Sequence, residues 1–328
     1  VHGHATQWRK RLMRIIIRNG RIIDPINGLD ETGDLYIAEG KIVAVGTAPS
    51  NFTADKEIDA SNQIVCPGLI DLSARLREPG LEHKADIASE TAAAATAGIT
   101  TLCCPPDTNP VVDTPAVARL IRDRAAQAGY ARVVPLGALT QKLEGETLSE
   151  MAALRDSGCV GVSNIYPIKN TRFQRRAMEY ASTHNFTVFL NPLDAWLAEG
   201  GCAHEGIVAT RLGLPGIPAA AETAAVARDL ALVEQIGVRA HFCRLSTSRA
   251  VRMVARAQYD GLPVTADVCA HQLFFTEMDI GEFDNNYHVI PPLRSQGDRE
   301  GLRKGVQQNV LEAICSDHQP HEPDAKQA

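Results

Sequence analysis

From residue 67 onward, the sequence alternates between short apolar segments and longer segments with helical periodicity. Short apolar runs bounded by Gly, Pro or Asn indicate buried strands, and the Ala-rich or amphipathic segments between them indicate helices. The predicted strands cover residues 69–73, 100–104, 132–138, 160–163, 187–190, 238–242, 263–268 and 312–316. The predicted helices cover residues 84–97, 115–128, 147–156, 172–184, 219–236, 248–260 and 297–309. Eight strands alternating with helices predict an α/β fold, specifically a (β/α)8 TIM barrel.

A doubly wound sheet is the weaker alternative, because no Gly-x-Gly-x-x-Gly motif follows any of the strands. Residues 13–66 form a different kind of segment, with short strands at 14–23, 34–38, 41–45 and 63–66 separated by Gly, Asn and Pro turns. This pattern predicts a small β-layer. Residues 1–12 are polar and basic without periodicity and are predicted to be a flexible leader. The predicted organisation is therefore a leader (1–12), a small β-domain (13–66) and a barrel (67–328).

The charge and the composition argue against several classes of function. The net charge is −6 and the pI is about 5.9, and the only basic cluster is at residues 9–11, which argues against a nucleic-acid surface. No apolar stretch approaches the ~20 residues that a membrane helix requires, and no signal peptide is expected. The eight cysteines contain no Cys-x-x-Cys pair, which favours a reduced cytoplasmic protein.

Several polar motifs follow the predicted strands, where the chemistry of such a barrel is placed. They are Leu-Arg-Glu-Pro-Gly (76–80), Thr-Asn-Pro (108–110), Leu-Ser-Thr (245–247), Ala-His (270–271), Pro-Pro-Leu-Arg (291–294) and Ser-Asp-His-x-Pro-His (316–321). Together they resemble the dihydroorotases and related cyclic amidohydrolases, over essentially the whole chain. The resemblance implies that the β-layer is part of a small N-terminal β-sandwich. It also implies that the last barrel helix and the strands closing the sandwich follow the residues of this chain.

The resemblance implies zinc ligands at the ends of the strands: two histidines after the first, a bridging carboxylate after the fourth, and histidines after the fifth and sixth. The matching positions carry Ser73, Arg75, Asn164, Asn191 and Arg244. Only the aspartate after the eighth strand, Asp317, is retained.

These replacements are predicted to abolish zinc binding. Zinc takes thiolate, imidazole or carboxylate ligands, whereas a guanidinium has no lone pair and stays charged. One repulsive charge pair 4 Å apart costs ~4 kcal/mol at an effective dielectric of about 20, and a dication roughly doubles this cost. No metal cofactor is therefore expected, and the site would lack an activated hydroxide and a Lewis acid. Cys243 is predicted to point away from Arg244, because side chains alternate along a strand, so it is not expected to replace the lost ligands.

The resemblance also implies a dihydroorotate pocket, of which Arg77, Asn109 and His321 remain. Asp107 and Ile290 replace two asparagines of the family, which adds a repulsive carboxylate and removes a hydrogen-bonding group. Arg77, Asp317 and His321 are accordingly predicted to serve structure alone. Arg75 and Arg244 are predicted to fill the emptied zinc volume and to pair with Asp317 and Asp71.

Two functional hypotheses follow. In the first, the chain is a non-catalytic subunit, like the pseudo-dihydroorotases that associate with the aspartate transcarbamoylase catalytic chain in a hetero-oligomer for pyrimidine biosynthesis. In the second, it is an active cyclic amide hydrolase, converting dihydroorotate to N-carbamoyl-aspartate. That enzyme would use an atypical or mononuclear metal site, or acid–base catalysis by Asp317 with His318 or His321. A third possibility, a fragment without function, stays open at this point.

Overall fold

The computed structural model describes residues 13–326, apart from the side chains of residues 323 and 326. The predicted leader, residues 1–12, lies outside the described residues. The chain divides into two compact units, of which the first ends at Gly68 and the second begins at Leu69.

The described part of the first unit is one five-stranded sheet. Its strands are β1 (Ile15–Asp24), β2 (Leu29–Ala38), β3 (Lys41–Val45), β4 (Lys56–Asp59) and β5 (Ile64–Val65). The order is β3-β2-β1-β4, and β5 also pairs with β1. Sequence patterning missed β4 because Lys-Glu-Ile-Asp contains a single apolar residue. A β-layer is present here, whereas the complete sandwich stays a prediction.

The second unit carries parallel strands in chain order. The strands β6 (Leu69–Asp71), β7 (Ile99–Cys104) and β8 (Arg132–Pro135) form one sheet. A second sheet contains, in order, β9 (Gly137–Ala138), β10 (Gly161–Asn164), β11 (Thr187–Leu190), β14 (Ala240–Phe242), β15 (Val264–Cys269) and β16 (Ala313–Cys315). A separate pair consists of β12 (Ala203–His204) and β13 (Gly216–Ile217). Only Leu136 separates β8 from β9, and a parallel bridge joins Ala74 to His318.

Helices alternate with these strands, which confirms the α/β class. They are α1 (Ile87–Thr96), α2 (Pro115–Ala128), α3 (Met151–Asp156), α4 (Thr171–Thr183), α5 (Ile207–Leu212), α6 (Ala219–Ile236), α7 (Ser248–Tyr259) and α8 (Gln296–Gln307). Thr114 precedes α2, but its side chain makes no capping hydrogen bond. None of the helices in residues 13–326 combines the length and apolar character that a bilayer crossing requires.

The two faces of the strands differ in chemistry. Alternate residues such as Val162, Val188 and Phe242 belong to the hydrophobic core that the helices share. The intervening positions include polar residues, among them His241 and Asp267, which are buried and hydrogen-bonded to each other. Because side chains alternate along a strand, these polar residues lie on the face opposite the helix-packed core.

The loop after β6 is fixed to the loop after β7. Gly80 has φ +95°, and the backbone N–H of Asn109 donates to the Pro79 carbonyl at 3.0 Å. A Cβ atom added at Gly80 would lie 1.8 Å from the carbonyl oxygen of Asn109. The Leu-Arg-Glu-Pro-Gly and Thr-Asn-Pro motifs thus meet where no side chain fits.

Gly80→Ala is expected to lower the free energy of unfolding by roughly 3 kcal/mol, through left-handed backbone strain and the clash with Asn109. Gly98→Ala is the matched control, because Gly98 also has positive φ (+80°) but has no atom within 4 Å of an added Cβ. Its expected cost is about 1 kcal/mol. Urea denaturation of both variants tests the comparison, and equal losses would contradict the clash.

Candidate functional site

Asp317 lies at the centre of a buried ion-pair network at the carboxyl ends of the strands. Its Oδ1 accepts hydrogen bonds from Arg75 Nη1, Arg244 Nη1 and Ser73 Oγ, each at 3.1 Å. Its Oδ2 accepts from Gln319 Nε2 at 2.9 Å and from Arg244 Nη1 at 3.2 Å. The Asp317 side chain is 3% exposed. The predicted pairing of both arginines with Asp317 is confirmed.

Each arginine has a second polar partner. Arg75 Nε donates to Asp107 Oδ2 at 2.6 Å, and Arg244 Nη2 donates to Asn191 Oδ1 at 2.7 Å. The exposed fractions of the Arg75 and Arg244 side chains are 9% and 11%. Two guanidiniums therefore face two carboxylates, so the charges of these four side chains balance one another. Asp107 is paired with Arg75, so its negative charge is largely compensated.

Electrostatics keep these guanidiniums charged. Burial is the largest single effect on Arg244 and opposes its charge, but the neighbouring acidic groups, Asp317 foremost, together raise the pKa of this side chain. Burial, and then the positive charge of Arg75, lower the pKa of Arg77. An arginine remains protonated in proteins even so. The positive charge at this edge is consequently permanent.

Little space remains beneath the network. Ser73, Arg75, Asn191, Cys243 and Arg244 all line one cavity of about 20 Å³. That volume corresponds to about one water molecule. Both arginine side chains line this cavity, whereas their filling of the emptied zinc volume stays a prediction.

Asp71 does not pair with the arginines, and that prediction is wrong. Its Oδ1 accepts the backbone N–H groups of Ser73 (3.1 Å) and Ser316 (3.0 Å), and its Oδ2 accepts the Ser316 hydroxyl. Asp71 is the last residue of β6, so its carboxylate is within reach of the backbone that leaves β6 and β16. It fastens these two strand ends together.

Asn164 is turned toward its own loop. Its Oδ1 accepts from Thr140 Oγ1 at 2.6 Å, and its Nδ2 donates to the Tyr166 carbonyl at 2.6 Å. The neighbouring Ser163 lines the small cavity instead, and its hydroxyl accepts a hydrogen bond from Asn191 Nδ2 at 3.1 Å. Of the two adjacent residues at this position, Ser163 is the one that faces the site.

Cys243 and Arg244 line the same cavity, so the prediction that they point apart is wrong. The strand β14 ends at Phe242, and Arg244 has φ +56°, in the left-handed region. Alternation of side chains holds only inside a strand. No residue type at this position signals a left-handed backbone, so the sequence could not reveal the exception.

Arg77 and Asp317 share this unusual backbone, with φ of 62° and 50°. A non-glycine residue in the left-handed region costs about 1–2 kcal/mol. Such strain persists where surrounding contacts hold it, and it clusters at sites that position side chains. The ion pairs and hydrogen bonds of Arg244 and Asp317 are contacts of this kind.

The pocket remnants border a larger cavity above the network. Ile290 and His321 line this cavity, whose volume is about 700 Å³. Arg77 lies against His321, with 3.2 Å between Nη2 and Nε2, and donates from Nε to the Pro320 carbonyl at 2.9 Å. The Ile290 carbonyl accepts from Arg244 Nη1 at 3.5 Å. Asn109 is exposed beside Gly80 and is not among the residues lining this cavity.

His318 is engaged away from Asp317. Its Nε2 pairs with Glu90 of α1, and it lines a different cavity from the one that Asp317 borders. An acid–base pair of Asp317 and His318 would require both groups to face one space, which this geometry does not provide.

Glu222 was not identified from the sequence, although it holds two of the motifs together. Its Oε2 accepts the Ser246 N–H (2.9 Å) and hydroxyl (2.5 Å), and its Oε1 accepts the Thr247 N–H (2.9 Å) and hydroxyl (2.7 Å). Arg294 Nε donates to Ser246 Oγ at 3.0 Å. The Leu-Ser-Thr and Pro-Pro-Leu-Arg motifs therefore converge on one buried carboxylate. A lone Glu in the Ala-rich segment of α6 was the available signal.

Comparisons with known protein families and proteins agree with the resemblance to the dihydroorotases. A family model described as dihydro-orotase-like matches residues 62–250, more than half of the chain. A "dihydroorotase-like protein" of Pseudomonas aeruginosa is 55% identical over 96% of this chain and 75% of its own length. A "dihydroorotase" of Syntrophotalea carbinolica is 42% identical over 96% of this chain and 74% of its own length.

Solved structures show the same fold. An L-hydantoinase (dihydropyrimidinase) from Arthrobacter aurescens matches with a TM-score of 0.80 at 22% identity, over 96% of this chain and 71% of that chain. A dihydropyrimidinase from Brevibacillus agri matches with a TM-score of 0.77 at 22% identity, over 95% of this chain and 70% of that chain. These likenesses establish an α/β fold shared with the hydantoinases and dihydropyrimidinases, and the family model and the similar relatives establish the kinship. The chain belongs to the dihydroorotase-like family.

Proposed function

We propose that this chain is a non-catalytic dihydroorotase-like protein that acts as a structural subunit in pyrimidine biosynthesis. The observation that supports the proposal most strongly is the pairing of the Asp317 carboxylate with two arginines. This carboxylate is the one that matches a family metal ligand, and two buried guanidiniums are hydrogen-bonded to it.

The residues around Asp317 do not fit the zinc centre of the family. Hydroxyl, amide and guanidinium groups stand at Ser73, Asn191, Arg75 and Arg244, and none is a good zinc ligand. A dication would have to displace at least one guanidinium from Asp317. That guanidinium would then lie buried without a counter-charge, which costs several kcal/mol. Without zinc, the site supplies neither an activated hydroxide nor a Lewis acid for opening a cyclic amide.

The architecture we infer is a closed (β/α)8 barrel with part of a small N-terminal β-sandwich. The bridge from Ala74 to His318 and the single residue between β8 and β9 support closure, because they connect the two parallel sheets at both edges. Loss of chemistry with retention of this framework favours a scaffold role.

The partner we propose is the catalytic chain of aspartate transcarbamoylase, in a cytoplasmic hetero-oligomer. This part rests on the resemblance to the pseudo-dihydroorotases. All eight cysteines are free, which is compatible with a reducing compartment. The similar Pseudomonas relatives carry the name "dihydroorotase-like protein".

Dihydroorotate hydrolysis by the purified protein is expected to equal the rate in buffer, with or without added zinc, since no hydroxide is activated. The assay measures N-carbamoyl-aspartate, with the Syntrophotalea carbinolica dihydroorotase as positive control. Zinc-dependent turnover that disappears in Asp317→Asn would contradict inactivity and favour the second hypothesis, an active hydrolase with an atypical metal site.

Association is tested separately, by mixing the protein with the aspartate transcarbamoylase catalytic chain of the same organism. Light scattering after size-exclusion chromatography is expected to show a complex larger than either protein alone. Two separate species at micromolar concentration would remove the proposed partner, while leaving the hydrolysis result untouched.

A further inference from the structure

Three side chains below the Asp317 network combine a nitrogen, a sulfur and an oxygen atom; those of His241 and Asp267 are buried and that of Cys243 is partly buried. His241 lies on β14, Cys243 follows two residues later, and Asp267 lies on the neighbouring strand β15. The pairing of Phe242 with Ala266 places Cys243 beside Asp267. Their possible ligand atoms all lie within 4.8 Å of one another, and no other such group was found among the described residues.

We propose that His241, Cys243 and Asp267 bind a thiophilic divalent cation such as Zn²⁺, at a site separate from the family metal positions. Zinc takes imidazole nitrogen, thiolate sulfur and carboxylate oxygen. On binding, the Cys243 thiol transfers its proton to solvent as the metal–sulfur bond forms. One thiolate and one carboxylate then balance the charge of the dication, which makes burial tolerable.

The atoms of these residues that face away from the site are already held. His241 Nδ1 is 2.7 Å from Thr265 Oγ1, and Asp267 Oδ1 accepts the backbone N–H of Arg244 at 2.5 Å. His241 Nε2 and Asp267 Oδ2, which lie 3.0 Å apart, are the atoms turned toward each other. Hydrogen bonds on the outer atoms orient the ligands of metal sites in this way.

A second thiol lies next to the group, on the outer side of Asp267. Cys315 Sγ lies 3.7 Å from Asp267 Oδ1 and 3.9 Å from Cys269 Sγ, and both cysteines are buried. The guanidinium of Arg244 contacts Asp317 and Asn191, and its backbone N–H contacts Asp267.

The test is a titration of the full, metal-stripped chain with Co²⁺, which replaces zinc and reports thiolate ligation by a ligand-to-metal charge-transfer absorption. A single bound Co²⁺ with this absorption is expected, and added Zn²⁺ should displace it. Cys243→Ser and Asp267→Asn are expected to weaken binding by about tenfold or more, and Cys243→Ser should remove the absorption. Cys66→Ser, at an exposed cysteine of the first unit, is the matched control and should change neither.

X-ray absorption of the zinc-loaded wild-type chain needs no variant and should show at least one sulfur ligand. Absence of bound metal, or a shell of nitrogen and oxygen alone, would overturn this site and leave the proposed function standing. Metal that is lost in Asp317→Asn but kept in Cys243→Ser would overturn both, since it would place the cation at the family position.

Discussion

Asp317→Asn is expected to lower the free energy of unfolding by about 3–5 kcal/mol, as removal of one partner from a buried ion pair does. Arg75 and Arg244 would keep their charges in a site where each is roughly nine-tenths buried. Asparagine can still accept a hydrogen bond but supplies no counter-charge. In a zinc centre, the same substitution would chiefly weaken metal binding. Urea denaturation followed by circular dichroism measures the loss.

Asp260→Asn is the matched control, because Asp260 pairs with Arg256 on an exposed surface. Its expected effect is within about 0.5 kcal/mol. Adding Arg244→Met to Asp317→Asn should recover part of the loss, since the double variant buries one charge fewer. A loss below about 1 kcal/mol for Asp317→Asn would mean that the arginines are not held by this carboxylate.

The predictable part of the fold is the part with strong local signals. The predicted helices 115–128 and 219–236 and the strand 187–190 have the observed bounds. Pro115 at the first helical position and Gly237 in the left-handed region after α6 explain two of these ends. The elements β12, β13 and α5 were missed, because two-residue strands and a six-residue helix are too short to show a period.

The sequence predicted that certain residues meet at the candidate site, but it did not predict all of their contacts. Strand ends of a parallel α/β fold meet at one edge, which was enough to bring Arg75 and Arg244 to Asp317. The wrong expectations for Asp71 and Cys243 depend on which backbone groups lie within reach and on the positive φ of Arg244, neither of which residue type encodes. Asp107 pairs with a residue 32 positions away, so only the folded chain shows that its charge is neutralised.

Glu222→Ala is expected to be as damaging as the loss of Asp317, at about 3–5 kcal/mol. The Glu222 side chain is nearly inaccessible, and its carboxylate accepts four hydrogen bonds from Ser246 and Thr247. The variant would leave these donors without their acceptors, and the buried guanidinium of Arg294, which donates to Ser246 Oγ, without the nearby negative charge of Glu222. Because Ser246 and Thr247 directly follow Arg244 and Leu245, the damage should extend to the Asp317 network. Urea denaturation of Glu222→Ala and of Asp317→Asn tests this comparison.

Glu222→Gln separates the effect of shape from that of charge, because it keeps one carbonyl oxygen in place. Its free energy of unfolding should fall by less than that of Glu222→Ala. Glu234→Ala, at an exposed position of the same helix, should change stability by less than about 0.5 kcal/mol. If Glu222→Ala matched this control, the convergence of the two motifs would be incidental. A large loss instead, together with a non-additive loss when Glu222→Ala is combined with Asp317→Asn, would show that the two buried carboxylates stabilise one continuous edge of the protein. Such coupling would suit the proposed scaffold role: ion pairs and hydrogen bonds would hold the strand ends together at the positions where the family resemblance implies metal ligands.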